Sequence, residues 1–258
     1  HTRFKCDWSS DVCSSDLRLY TDFGLLTSSG PIAEDASAFF SALTGYSDPP
    51  RLKTLVMAPT GLRQRLLQLI QREQRRAEAG QHAEIQAKMN SLIDDSIIEA
   101  LYDASRSGVR IRLNVRGVCA LRPGVPGVSD RIEVVSVVDR FLEHSRAFVF
   151  HNGGEEDVYL SSADWMTRNL DKRIELMFPI ERPEHKAKVS AMLRAMFGDT
   201  SHARWLDAEG IYHRRAPAPG DLPYRAQWAL YDDAHRVVAL EREGTGVSFQ
   251  PEQRSPHA

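Results

Sequence analysis

Four polar stretches stand where a core pattern would place apolar residues, and each carries groups that can handle phosphate. Asn114-Val115-Arg116-Gly117 closes an alternating run from Val109. An arginine at the carboxyl end of a strand, before a glycine-rich loop, lies where α/β sheets bind ligands, and its planar fork can grip phosphate oxygens. The second stretch is Arg140-Phe141-Leu142-Glu143-His144-Ser145-Arg146. His144 and Arg146 are two residues apart, so on an extended chain they share a face. The imidazole can exchange a proton near neutral pH, and the cation beside it can hold negative charge. The third, Ser161-Ser162-Ala163-Asp164-Trp165, offers two hydroxyls and backbone N–H groups. The fourth, Met166 to Arg173, adds Arg168, Lys172 and Arg173. Taken singly, each has a plainer reading: a surface arginine, a satisfied structural histidine, a solvated basic turn.

These residues need elements to carry them. Leu52 to Ala58 is an apolar run of strand length. Thr60 is a candidate cap for a helix from Gly61 to Gly80, with Leu62, Leu66, Leu69 and Ile70 at helical spacing. His82 to Met89 alternates like a strand. Asp94 or Asp95 caps a helix bearing Ile97, Ile98, Leu101 and Tyr102, which stops at Gly108. Val109 to Val115 and Ile132 to Val138 read as strands around a long loop from Gly117 to Asp130. Ala147 to Phe150 and Val158 to Ser161 flank Asn152-Gly153-Gly154, a hairpin turn. Ile174 to Phe178 is a further strand. Val189, Met192, Leu193, Met196 and Phe197 mark a helix, and Tyr224 to Arg242 another. Before all of these, Ile32 to Leu43 is a short helix with Phe39 and Phe40 on its apolar side. Alternating strands and helices predict an α/β domain, and the hairpin makes its sheet mixed.

A hydrophobic fraction of 42% and a charged fraction of 26% suit an ordinary globular chain with a core of its own. The net charge of -2 excludes a generically basic nucleic-acid binder, so any phosphate site must come from a local cluster of cations. No apolar run approaches the ~18 residues of a membrane span. No Walker-type phosphate loop is present. His82, His151, His185, His202, His213 and His235 have no metal-ligand spacing. Cys6, Cys13 and Cys119 form neither a metal pattern nor a disulfide framework, which points to a reducing compartment. Residues 6 to 17, CDWSSDVCSSDL, have no periodicity and resemble a translated sequencing-adapter end. Residues 1–17 are therefore expected to be a non-native leader.

The H-x-R strand, the hairpin and the S-S-x-D return resemble one half-site of the phospholipase D superfamily, with Arg146 in place of lysine and Asp164 in place of asparagine. In order along the chain, RLYTDFGLLT (18–27), KMNSL (88–92), VRGVC (115–119), RFLEHSR (140–146) and YLSSADWMTRNL (159–170) resemble the C-terminal region of the long form of bacterial polyphosphate kinase. The resemblance spans about residues 18–240. It implies an α/β, phospholipase D-like domain with a mixed β-sheet flanked by helices. It implies transfer of the terminal phosphate of ATP to inorganic polyphosphate through a phosphohistidine upstream of Tyr20. No histidine lies between Arg18 and His82 to fill that role. Tyr20 would contact ATP, Arg116 its phosphates, and His144 would be a second essential histidine, with Arg146, Ser161, Ser162, Arg168 and Arg173 as supporting phosphate contacts. Mg2+ is the implied cofactor, with its ligands outside this chain. Implied partners are ATP, ADP and polyphosphate, not nucleic acid, in a homo-oligomer that is cytoplasmic or peripheral to a membrane. The expected organisation is the tail of a first catalytic domain over 18–49, a second catalytic domain over 50–200, and an extension with a helix and disordered tail over 201–258. A phospholipase D-like phosphodiesterase and a non-catalytic polyanion-binding module are the alternatives on residues alone.

Overall fold

Alternation along the strands sets up three layers. The computed structural model describes residues 19–45 and 51–244. The expected leader at 1–17 and the expected domain boundary between 49 and 50 fall outside those residues. Strands β1 (Tyr20–Thr21), β2 (Val56–Ala58), β3 (Glu84–Met89), β4 (Arg110–Val115), β5 (Ile132–Val137), β6 (Leu142–Glu143), β7 (Arg146–Phe150), β8 (Asp157–Ser161), β9 (Glu175–Ile180), β10 (Ala203–Leu206) and β11 (Tyr212–Arg214) are interleaved with helices α1 (Gly30–Leu43), α2 (Leu62–Glu78), α3 (Asp95–Arg106), α4 (Thr167–Asp171), α5 (Pro183–Gly198) and α6 (Ala226–Gly244). Nine strands form one mixed sheet in the order β11-β10-β5-β4-β3-β7-β8-β9-β2. β3, β4 and β5 run parallel, while β7 pairs antiparallel with both β3 and β8.

Successive strand residues point to opposite faces, and β7 divides its side chains accordingly. Phe148 and Phe150 join Ile85, Ala87, Met89, Ile111 and Leu113 against Leu62, Leu66, Leu69 and Ile70 of α2 and Ile97, Ile98 and Leu101 of α3. Ala147 and Val149 join Val135, Val137, Val158 and Leu160 against Val189, Met192, Leu193, Met196 and Phe197 of α5 and Ala226 of α6. Burial on both faces explains the largely apolar runs of β5 and β7. Among the described residues no helix is long and apolar enough to cross a membrane.

Asp94 caps α3, accepting from Ile97 N at 3.3 Å. Gly108, at φ 105°, turns the chain out of α3 in a conformation that side-chain-bearing residues rarely adopt. Several expectations need correcting. Thr60 is not a cap; α2 starts behind Gly61 with no side-chain cap, and the Thr60 hydroxyl turns to Met57 O at 3.4 Å. Phe39 is buried but Phe40 is 62% exposed, since adjacent helix positions lie about 100° apart. The hairpin turn at Asn152–Gly154 does join antiparallel β7 and β8, as a 3-10 turn with positive φ at all three residues. β1, β6, β10, β11 and α4 have no signature in the sequence pattern. They are two to five residues long, too short to show a period. β10 pairs with β5, so the sheet continues past residue 200.

The strand expected over Leu52 to Ala58 is only Val56–Ala58. The N–H groups of Lys53, Thr54 and Leu55 donate instead to the buried carboxylate of Asp35 on α1, at 2.6–3.0 Å. Burial pushes the Asp35 pKa up, but these three donors and the Lys53 charge outweigh it and hold it below 3.8. Asp35→Ala is expected to lower unfolding stability by about 2 kcal/mol, as for loss of a charge-assisted hydrogen bond, read by urea denaturation. A carboxyl with a depressed folded pKa stabilises above its unfolded value and loses that contribution as pH falls through the folded one. The gap between wild type and variant should therefore be full at neutral pH and close in acid below about pH 4.

Candidate active site

The parallel strands β3, β4 and β5 end on one edge of the sheet, where β7 begins and β8 ends, so the polar stretches of the sequence converge there. His144 lies between β6 and β7. β6 pairs in parallel with β1, Tyr20 opposite Leu142 and Thr21 opposite Glu143, and His144 N donates to Thr21 O at 3.1 Å. This short ladder brings two residues of β1 and its exit to the imidazole. The Tyr20 ring meets it edge-on with centroids 5.1 Å apart, and Asp22 Oδ2 lies 2.9 Å from Nδ1. A carboxylate at Nδ1 places the proton there and leaves Nε2 as the reactive nitrogen. Burial pushes the Asp22 carboxyl up, but the His144 and Phe23 N–H bonds and the His144 and Arg146 charges bring it below the ordinary value. The His144 side chain is 31% exposed, so the ring is open to a ligand.

Arg146 Nη1 lies 3.1 Å from His144 Nε2 and donates to the His144 carbonyl at 3.0 Å. The rest of its fork donates to both oxygens of buried Asp164, at 3.1 and 3.2 Å. Asp164 Oδ1 also accepts Asn90 N at 2.7 Å, and Asn90 Oδ1 accepts Arg116 Nε at 3.0 Å. One chain of hydrogen bonds therefore links Arg116, Asn90, Asp164, Arg146, His144 and Asp22. Among the described residues the two Nη groups of half-buried Arg116 have no partner. Gly117 follows because a Cβ there would stand 2.9 Å from Asn90 O, to which its own N–H donates at 2.8 Å.

Residues 55–227 match the family model "Polyphosphate kinase C-terminal domain 2". The chain belongs to the polyphosphate kinase family. It is 49% identical over 226 residues to the polyphosphate kinase of Rhodopirellula baltica, covering 88% of this chain and 26% of that protein. It is 48% identical over 219 residues to that of Pseudomonas putida, covering 85% and 30%. The crystal structure of polyphosphate kinase from Porphyromonas gingivalis superposes with a TM-score of 0.78 at 36% identity, over 85% of this chain and 33% of that one. The chain thus spans about a third or less of the length of these relatives.

Of the residues marked out by resemblance to the polyphosphate kinases, Tyr20, Arg116, His144 and Arg146 meet on one edge. The two serine hydroxyls are both taken up by residues of β9. Ser161 Oγ donates to Leu176 O at 2.9 Å, and Ser162 Oγ donates to Glu175 Oε2 at 2.5 Å, each also accepting a backbone N–H. The Ser162 N–H is taken as well, donating to Leu176 O at 2.9 Å. Arg173 pairs loosely with Glu175 at 3.9 Å, and Arg168 is exposed on α4. Among the described residues no group of three or more His, Cys, Asp or Glu side chains could hold a metal ion. The edge carboxylates Asp22, Asp164 and Glu175 are each bound to a partner of this chain. These residues do not fit a Mg2+ site.

Asp22, Asn90 and Lys88 lie inside the family-like stretches with no local spacing that marks them as functional, and Asp164 stands out there only as a motif position. Lys88, 1% exposed, donates from Nζ to Ser145 Oγ at 2.8 Å and Ser145 O at 3.0 Å, with Glu143 Oε2 at 3.4 Å. Burial pulls its pKa down, opposed by Glu143. Gln227 of α6 donates to Glu143 Oε1 at 2.7 Å and exchanges two 2.8 Å bonds with the backbone of Phe141. Gln227 carried no signal in the sequence.

Proposed function

We propose that the full-length protein transfers the terminal phosphate of ATP to a growing polyphosphate chain, and that this edge forms one half of its site. The observation that carries the reading is the hydrogen-bonded chain joining Arg116 to His144, with Tyr20 and Asp22 against the same ring. Phosphoryl transfer asks mainly for positioning and charge stabilisation. Arg116 has two Nη groups to offer phosphate oxygens, while its Nε is held by Asn90. Arg146, fixed by Asp164, holds positive charge beside the ring. His144, oriented by Asp22, exchanges a proton at Nε2 with the attacking or departing phosphate oxygen. Tyr20 offers a ring and a hydroxyl to the nucleotide. The phosphohistidine and the Mg2+ ligands implied by the family resemblance belong to parts of the protein outside this chain, and ATP, ADP and polyphosphate are its partners, in a homo-oligomer.

The test is radiolabelled ATP given to the full-length protein, with acid-insoluble polyphosphate as product. Arg116→Ala is expected to lower kcat/KM for ATP by about 10²-fold, as when one charge-stabilising donor is removed from a reaction centre. Wild-type kcat/KM in that variant would overturn the reading. Hydrolysis of a chromogenic phosphodiester without polymer formation would favour a phosphodiesterase instead.

A further inference from the structure

Taking the acid–base reading of His144 as its basis, we propose that Lys88 is a positioning residue whose buried ammonium, with Glu143 and Gln227, fixes the strand that carries His144. The ammonium has three N–H donors, and three acceptors surround it: Ser145 Oγ, Ser145 O and Glu143 Oε2. Those acceptors belong to the residues immediately before and after His144. From within the sheet the lysine therefore holds the backbone of Ser145 on one side of the imidazole and the carboxylate of Glu143 on the other. Its register partner on β7 is Ala147, whose small side chain leaves room for the lysine stem.

The strand needs such a brace. β6 has two residues, and so does β1, its neighbour in a separate two-stranded ladder. So short a pair has little stability of its own, yet it sets the distances from His144 to Asp22 and Tyr20. Gln227 ties the other end of β6 by bonding Phe141 through both its N–H and its carbonyl. A buried ion pair is seldom more stabilising than a well-packed apolar pair of similar size. What Lys88 and Glu143 supply that apolar residues would not is direction: Lys88 donates to Ser145 and Glu143 accepts from Gln227, which holds residues 143 and 145 at fixed angles. Displacing an acid–base group by about 1 Å can cost 10²-fold in rate.

The experiment compares kcat and KM for ATP in the full-length protein. Lys88→Met/Glu143→Gln removes both charges together, so no charge is stranded. This double variant is expected to melt within a few degrees of wild type, to keep KM for ATP within about threefold, and to lose kcat by roughly 10- to 100-fold. A role in stability alone would leave kcat unchanged below the melting transition. Gln227→Met loosens the same strand from α6 and leaves the ion pair in place; it is expected to lower kcat by roughly 3- to 10-fold, and it carries the test if the double variant melts early. Wild-type kcat in either variant while folded would overturn the brace. His144→Ala runs alongside as a control. If it retains wild-type kcat, the reading of the edge itself fails; if it is inactive while the folded brace variants stay fully active, only the brace fails.

Discussion

Full-length protein carrying His144→Ala is expected to lose polyphosphate synthesis by about 10²- to 10⁴-fold in kcat, the range for removing a general acid–base group. The side chain is partly exposed and rests on Tyr20, Asp22 and Arg146 rather than in either apolar layer. Its removal should leave the fold intact, and an unchanged circular dichroism spectrum would separate lost chemistry from lost structure. Asp22→Asn should fall between wild type and His144→Ala, because it keeps the imidazole and loosens its tautomer. Near-wild-type synthesis by His144→Ala would remove the basis for assigning acid–base chemistry to this edge.

The single substitution Lys88→Met is expected to destabilise the protein by about 3–5 kcal/mol, the cost of stranding one member of a buried ion pair. Glu143 is 5% exposed, and its carboxylate would then be buried without its counter-charge. For a domain of this size that corresponds to a fall in Tm of roughly 10 °C, read by differential scanning calorimetry. Adding Glu143→Gln should recover most of the loss, since a neutral amide can keep the Gln227 bond without an uncompensated charge. A single variant as stable as wild type would mean that the ion pair is not held in the low-dielectric interior its geometry describes.

How much of this was legible depended on how local the cause was. α2 follows from Leu62, Leu66, Leu69 and Ile70, and α3 from its Asp94 cap and Gly108 stop; both causes act within a few residues. β3 and β4 were readable from their alternation, and β5 from the largely apolar run that burial leaves. The spacing of His144 and Arg146 pointed to one face, and the two groups do lie together. Thr60 and Phe40 mislead because each fits its local pattern equally well in two orientations, and packing elsewhere chose between them.

The sequence by itself determined the α/β class, most of the elements, and the presence of a cation-rich edge around Arg116 and His144. Only the tertiary structure decided which groups complete that edge. Asp22 reaches His144 across 122 positions of sequence, Gln227 reaches Glu143 across 84, and Asp164 reaches Asn90 across 74. Single hydrogen bonds between such distant segments leave no periodic trace in a chain. Their partners are chosen by strand register, which the buried faces of the whole sheet set together.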